Sequence, residues 1–324
     1  MPVPVLSFDR VMDALLSMRK SYMSKYLAMY SSWYGGIITD PSIMMVPIDD
    51  HLVHRGDGVF EVFHCIDWNI YALDMHLERM KRSMEAFYLA SPVDREQMIE
   101  IICATVRAGN NGNCLVRLFL SRGPGSFSVN PYDTVGSQFY VLAVAMDPVT
   151  PTKYENGVRL ITSDIPVKYD YFATRKNCNY LPNVLMKKEA VDRGVDFAVS
   201  IDESGFLTEG PTENIGIVTK AGEFLVPRFS RTLKGITVSR AIEFAQNLTA
   251  SELTNAKQSD ITRDEAYDAA EILVFGTYFN ILPVVDFDGK IIGTGRPGPV
   301  FKRLKELLLE DQLKNRDMLT PVRV

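Results

Sequence analysis

Between residues 8 and 31, apolar side chains recur three or four positions apart at Val11, Leu15, Met18, Tyr22, Tyr26 and Met29. That spacing puts them on one face of a helix, so an N-terminal amphipathic helix is expected over residues 8–31. The runs "GGIITDPSIMMVP" and "GVFEVFHCIDWNIYAL" have strand character, the second folding back at Asp67-Trp68-Asn69. "DMHLERMKRSMEAF" and "DREQMIEIICATVRAG" return to helical spacing, and "CLVRLFLSRG" and "SQFYVLAVAM" predict two further strands.

The pattern breaks at "DPVTPTKYENG", where two prolines and several polar residues interrupt both periods. A smaller N-terminal α/β domain is therefore expected over residues 1–148, with a helical extension at 1–37. A linker follows at 149–157, and a larger C-terminal domain at 158–324. In that second half the strands "VRLITSDI", "DFAVSID", "ENIGIVTK", "EFLVP", "AAEILVFGT" and "ILPVVDFDGKIIG" are interspersed with three helical runs, "PNVLMKKEAVDRG", "TVSRAIEFAQNL" and "PGPVFKRLKELLLEDQLKN". Short strands bounded by Gly turns predict a barrel-like β domain flanked by helices, in an α+β protein.

Composition narrows the function. The 324 residues are 46% hydrophobic and 23% charged, ordinary for a globular chain with room for two domains. No run approaches the roughly 20 apolar residues of a spanning helix, and no basic-then-apolar leader opens the chain, so no membrane partner and a cytoplasmic location are expected. Cys65, Cys103, Cys114 and Cys178 are scattered, which predicts thiols. His51, His54, His64 and His76 match no zinc spacing, so no metal is expected. A net charge of -5 disfavours nucleic acid. A small molecule is the expected partner.

The candidate chemistry centres on "RKNCNYLPNV", where Lys176 follows an aromatic-rich run, "VKYDYFATR", that reads as a strand. Burial or neighbouring positive charge lowers a lysine's pKa enough to expose a nucleophilic amine. Taken alone, Lys176 reads as a solvated turn lysine, and Glu209 in "LTEGPTEN" as a solvated turn glutamate. "LKGITVSRAIEF" places Gly235, Ile236 and Thr237 at a helix start, which is either an anion site or a plain cap. Arg79 is one of several charges on its helix.

Taken together, "HRGDGVFEVF", "HLERM", "KNCNYLPNVLMKKEA", "GFLTEGPTENIGIV" and "LKGIT" resemble, in order and spacing, the fold-type IV pyridoxal-phosphate enzymes. That group holds branched-chain and D-amino-acid aminotransferases, R-selective amine transaminases and aminodeoxychorismate lyase. The resemblance spans residues from about 38 to 310. It implies a two-domain α+β fold, pyridoxal 5′-phosphate as cofactor, and transfer of an amino group between an amino acid or primary amine and a 2-oxo acid. It implies that Lys176 forms the aldimine and shuttles the proton, that Glu209 pairs with the pyridine nitrogen, and that Tyr180 lies near the phenolic oxygen. Arg79, Gly235, Ile236, Thr237 and Thr277 are implied to bind the phosphate. A homodimer is implied as well, with the "HRGDGVF" segment serving the neighbouring site.

The positions that choose the substrate depart from each subfamily. Phe127 and Val129 stand in place of the R-x-H pair of D-amino-acid enzymes, and Glu61 in place of the lyase threonine. Tyr278 and Phe279 replace two small residues of the branched-chain enzymes, and their rings are expected either to narrow the pocket or to block the backbone that binds the carboxylate there. Val238 replaces an arginine. Arg55 replaces a tyrosine, and its guanidinium suits a carboxylate. Arg55, Phe60 and Tyr278 are the expected substrate residues. Transamination is the expected reaction. The alternatives are a lyase on the same cofactor, which would release pyruvate without an amino acceptor, and a non-catalytic cofactor-binding protein.

Overall fold

A computed structural model describes residues 2–249 and 252–322. Residues 1 and 323–324, the ends of the expected domains, lie outside the described residues. The chain forms two compact units. One holds the chain up to Tyr71, Phe87–Asp147 and the segment from Thr320; the other holds Ala72–Ala86 and Pro148–Leu319.

The first unit is built on a seven-stranded sheet ordered Leu319–Pro321, Asn69–Tyr71, Gly58–Ile66, Cys114–Ser121, Gln138–Ala145, Tyr26–Ser31, Gly36–Ile38. The expected helix over 8–31 is shorter. It runs Phe8–Ser17 and buries none of its residues, while Tyr26–Ser31 is a strand hydrogen-bonded on both sides. Ala28 and Met29 are buried there. Two ladders and that burial outweigh a spacing that fits a helix only locally. The hairpin at Asp67 and Trp68 takes positive φ at both residues, 47° and 63°, the backbone a two-residue turn needs to match strand twist.

In the second unit a mixed sheet runs Asn255–Ser259, Glu223–Pro227, Asn214–Val218, Glu271–Gly276, Asn280–Phe287, Val158–Thr162, Phe197–Val199, with Lys290–Ile291 paired to Asn280–Phe287. The helices Ile236–Asn247 and Pro299–Lys314 supply Val238, Ala241, Ala245, Phe301, Leu304 and Leu308 to one of its cores. Val238 is thus a core residue.

Two boundaries read from the sequence are corrected. Pro151–Asn156, within the expected linker, is helical, and Tyr154 packs on the core with its hydroxyl donating to Phe279 O at 2.8 Å. Leu73–Ala86, expected in the N-terminal domain, groups with the second unit. Its buried polar residues explain why. Arg79 Nη1 donates to Lys234 O at 3.2 Å, and Ser83 Oγ accepts from the N–H of Lys176 at 3.1 Å.

Candidate active site

The run before Lys176 is not a strand. It is a loop and a helical turn, Asp170–Ala173, whose backbone bonds close locally from Ala173 N to Tyr169 O and from Thr174 N to Asp170 O, while Tyr169, Tyr171 and Phe172 are exposed. The next turn is locked by Asn177, which is 1% exposed. Its Nδ2 donates to Phe172 O at 2.9 Å and Arg175 O at 3.0 Å, and its Oδ1 accepts from Asn179 N at 3.0 Å. The helix Leu181–Asp192 then begins, with Pro182 in its first turn where no N–H is needed. Lys176 is therefore fixed by backbone on both sides, and its own N–H is tied to Ser83. Ser83 Oγ in turn donates to Arg79 O at 3.1 Å.

Glu209 Oε2 accepts from Leu233 N at 2.9 Å. Burial raises its pKa, and the charges of Lys168, Lys176 and Arg79 together with the Leu233 N–H pull it back. Tyr180 is pushed up as well, chiefly by burial and then by the Glu209 charge. Lys168, Lys176, Tyr180 and Glu209 line one cavity of about 30 Å³. Asn214 connects this site to the next loop, bridging to Glu209 by backbone and donating from Nδ2 to Leu233 O at 2.9 Å.

The helix Ile236–Asn247 opens at Gly235 with no side-chain cap. Its first intrahelical bond runs from Ser239 N to Gly235 O, so the N–H groups of Ile236 and Thr237 are directed out of the helix end. Glycine is required at the entry because a Cβ would stand 2.0 Å from Asn214 Oδ1. Arg79, 5% exposed, lies beside this end through its bond to Lys234 O. A cavity of about 440 Å³ opens here, lined by Arg79, Arg82, Arg175 and Lys234 against the single carboxylate of Glu85. Four cations in this wall, which ends at Lys234 just before a helix start with outward N–H groups and the positive end of its dipole, suit an anion. The donor set therefore fits a phosphorylated cofactor with a basic ring nitrogen. The amine of Lys176 and the carboxylate of Glu209 share one cavity, and Arg79 bonds to Lys234 O beside the helix start at Gly235, Ile236 and Thr237.

Thr277 sits in the turn after the strand Glu271–Gly276, two residues beyond Phe275, which pairs with Asn214. It lines neither cavity. Tyr278 is 41% exposed, whereas Phe279 turns into the core against Phe197, ring centroids 5.3 Å apart. Phe279 is thus a packing residue, which corrects the expectation that both rings narrow the pocket. In the first unit Phe60 is nearly buried and stacks on Phe119. Arg55 is exposed there, donating from Nη2 to Phe127 O at 2.6 Å and from Nη1 to His54 O at 3.1 Å.

Ser83, Asn177 and Asn214 were not singled out from sequence, since each acts through backbone groups of residues distant along the chain or inside a turn. Glu213 was missed too. It is 4% exposed, and Oε2 accepts from Thr212 N and Oγ1 while Oε1 has no partner. Burial pushes its carboxyl up to about 7, against the Thr212 hydrogen bonds. A folded-state value above the unfolded one means that the folded chain binds the extra proton. Its stabilising effect is complete below about 4.5 and is lost as pH rises through about 7. Thermal melts across that window should show stability falling in the wild type and a shallower fall in Glu213→Gln. Equal slopes would remove Glu213 as the cause.

Residues 58–287 match the family model for amino-transferase class IV. A chloroplastic D-amino-acid transaminase from Arabidopsis thaliana is 38% identical over 315 residues, covering 95% of this chain and 82% of that protein. A putative branched-chain-amino-acid aminotransferase from Methanocaldococcus jannaschii is 31% identical, covering 85% and 93%. Among solved structures, a T.th. branched-chain amino acid aminotransferase with pyridoxamine 5′-phosphate superposes with a TM-score of 0.84 at 28% identity, over 91% of this chain and 98% of the other. The lysine turn, the buried carboxylate and the helix start at Gly235 thus stand within a chain that belongs to the class IV aminotransferases.

Proposed function

We propose that this chain moves an amino group between an amino acid or primary amine and a 2-oxo acid, using pyridoxal 5′-phosphate. The observation that carries the reading is the gathering of Lys176, Glu209, Arg79 and the Gly235–Thr237 helix end within one unit. The bound cofactor supplies an electron sink for the pair released when the donor's Cα–H bond breaks. Arg79 and the N–H groups of Ile236 and Thr237 hold its phosphate, with Thr277 as a further ligand. Glu209 holds a proton on the ring nitrogen. Tyr180 would help hold the ring, and Lys176 Nζ would take the proton from the donor's Cα and return one two bonds away, beyond the shared nitrogen. Arg55 and Phe60 of the first unit and Tyr278 of the second are each candidate substrate residues, Arg55 for a carboxylate.

We place the protein in the cytoplasm as a homodimer. None of the four cysteines is in a disulfide, and Cys65 and Cys114 stand directly opposite on neighbouring strands as thiols, which supports a reducing compartment. No helix among the described residues is long and apolar enough to cross a membrane. Trp33, Tyr34, Ile37, Ile43 and Ile48 are exposed around the edge strand Gly36–Ile38, a surface that a second copy would cover.

The test is the absorbance of purified protein loaded with pyridoxal phosphate, before and after separate additions of L-amino acids, D-amino acids, and R- and S-amines. A visible band that one donor class converts to the pyridoxamine form, with release of the matching oxo product, is the expected result. Pyruvate release without an acceptor would favour the lyase, and a band that no amine changes would overturn the enzymatic reading.

A further inference from the structure

Lys168 lies in the loop between the strand Val158–Thr162 and the helical turn Asp170–Ala173, and the reaction above gives it no part. Its ammonium stands 5.0 Å from the centroid of the Tyr180 ring, within cation–π range. It lines two small cavities, about 30 and 20 Å³, and Glu209 lines both. Either is large enough for one water, provided polar partners surround it. In the larger, Asn183 Oδ1 and Glu213 Oε1 are buried acceptors without partners. The wall thus sets orphan acceptors and the Glu209 carboxylate beside the donors of Lys168.

The electrostatics agree with that placement. Burial lowers the Lys168 pKa and Glu209 opposes it. Burial raises Glu209, and Lys168 is the strongest influence against that rise, ahead of the Leu233 N–H, Lys176 and Arg79. Glu213 is the second buried carboxyl at this cavity, and repulsion between it and Glu209 disfavours ionising both. Lys176 is the group that reacts, so its charge changes during turnover. Arg79 is directed to the phosphate cradle. Lys168 alone among these cations neither reacts nor holds the phosphate.

We propose that Lys168 is a positioning residue for Glu209: across the cavity they share, its ammonium keeps the carboxylate aimed and ionised while Lys176 changes its own charge. The inference rests on the function proposed above. Its consequence is that Glu209 retains its hold on the ring-nitrogen proton throughout the reaction, and that Tyr180 stays clamped beneath the same ammonium.

The experiment compares wild type, Lys168→Met and Lys168→Arg, each loaded with pyridoxal phosphate carrying an isotopically labelled ring nitrogen, by nuclear magnetic resonance from about pH 6 to 9. Wild type is expected to keep the ring proton throughout. Lys168→Met should lose it within that range, at a midpoint at least about one unit below the highest pH at which wild type still holds it, a tenfold change in proton affinity, with Lys168→Arg restoring wild-type behaviour. The kcat of Lys168→Met should fall while KM for the donor changes little. A Lys168→Met protein that titrates like wild type overturns the proposal. Should that variant fail to fold, Lys168→Gln must show the same displacement. In the cofactor-free chain, the infrared titration of Glu209, identified by its loss in Glu209→Gln, should move upward in Lys168→Met. That second readout separates this inference from the function: failure of wild type to bind the cofactor sinks the function, and an unmoved Glu209 sinks the role of Lys168.

Discussion

Lys176→Ala is expected to lower kcat by about 10²–10⁴-fold, the range that a positioned acid–base group contributes, and to abolish the borohydride-stable attachment of cofactor to the chain. The structure explains why the loss should be chemical. The turn around Lys176 is set by Asn177 through three hydrogen bonds to backbone groups and by Ser83 through the Lys176 N–H, all of which alanine retains. Removing the side chain therefore takes away the amine and leaves the segment in place. The melting temperature without cofactor should stay close to wild type. Mass spectrometry after borohydride treatment should show the cofactor's mass on the peptide holding Lys176 in wild type and nowhere in the variant. Turnover within tenfold of wild type, or an adduct on another lysine, would take Lys176 out of the reaction.

The candidate site was proposed from sequence on parts that are local. Gly235 before Ile236 and Thr237 is a helix entry with free N–H groups, a feature of consecutive residues, and the lysine, carboxylate and arginine motifs occur in a diagnostic order. The predominantly apolar strands Gly58–Ile66, Cys114–Ser121 and Glu271–Gly276 could likewise be read directly. What was missed depends on partners far along the chain. Asn255–Ser259 reads "NAKQS", with only Ala256 buried, and is a strand because Glu223–Pro227 offers it a parallel ladder. Tyr26–Ser31 carried a helical spacing that its two neighbouring strands overrode. Leu73–Ala86 was placed in the wrong half because sequence proximity says nothing of Lys234, 155 positions from Arg79, or Lys176, 93 positions from Ser83. The same holds for Lys168, whose surroundings come from Tyr180 and Glu209 rather than from its own run.

Glu209→Gln should lower kcat by about 10²–10³-fold, the loss measured when one preorganised electrostatic contact is removed, without lowering thermal stability. The substitution is nearly isosteric and keeps an oxygen to accept from Leu233 N, so the geometry that ties the site to Leu233 survives. It removes a charge that burial disfavours: the carboxyl's pKa is raised despite Lys168, Lys176 and Arg79 nearby. Relief of that desolvation offsets the lost attraction to the cations, so the melting temperature should hold or rise. A neutral amide has no such pull on the ring-nitrogen proton, and the electron sink weakens in the step that breaks Cα–H. A primary kinetic isotope effect on kcat with Cα-deuterated donor should therefore grow in Glu209→Gln relative to wild type. An unchanged isotope effect together with a rise in donor KM would place Glu209 in substrate binding and return the ring nitrogen to some other group.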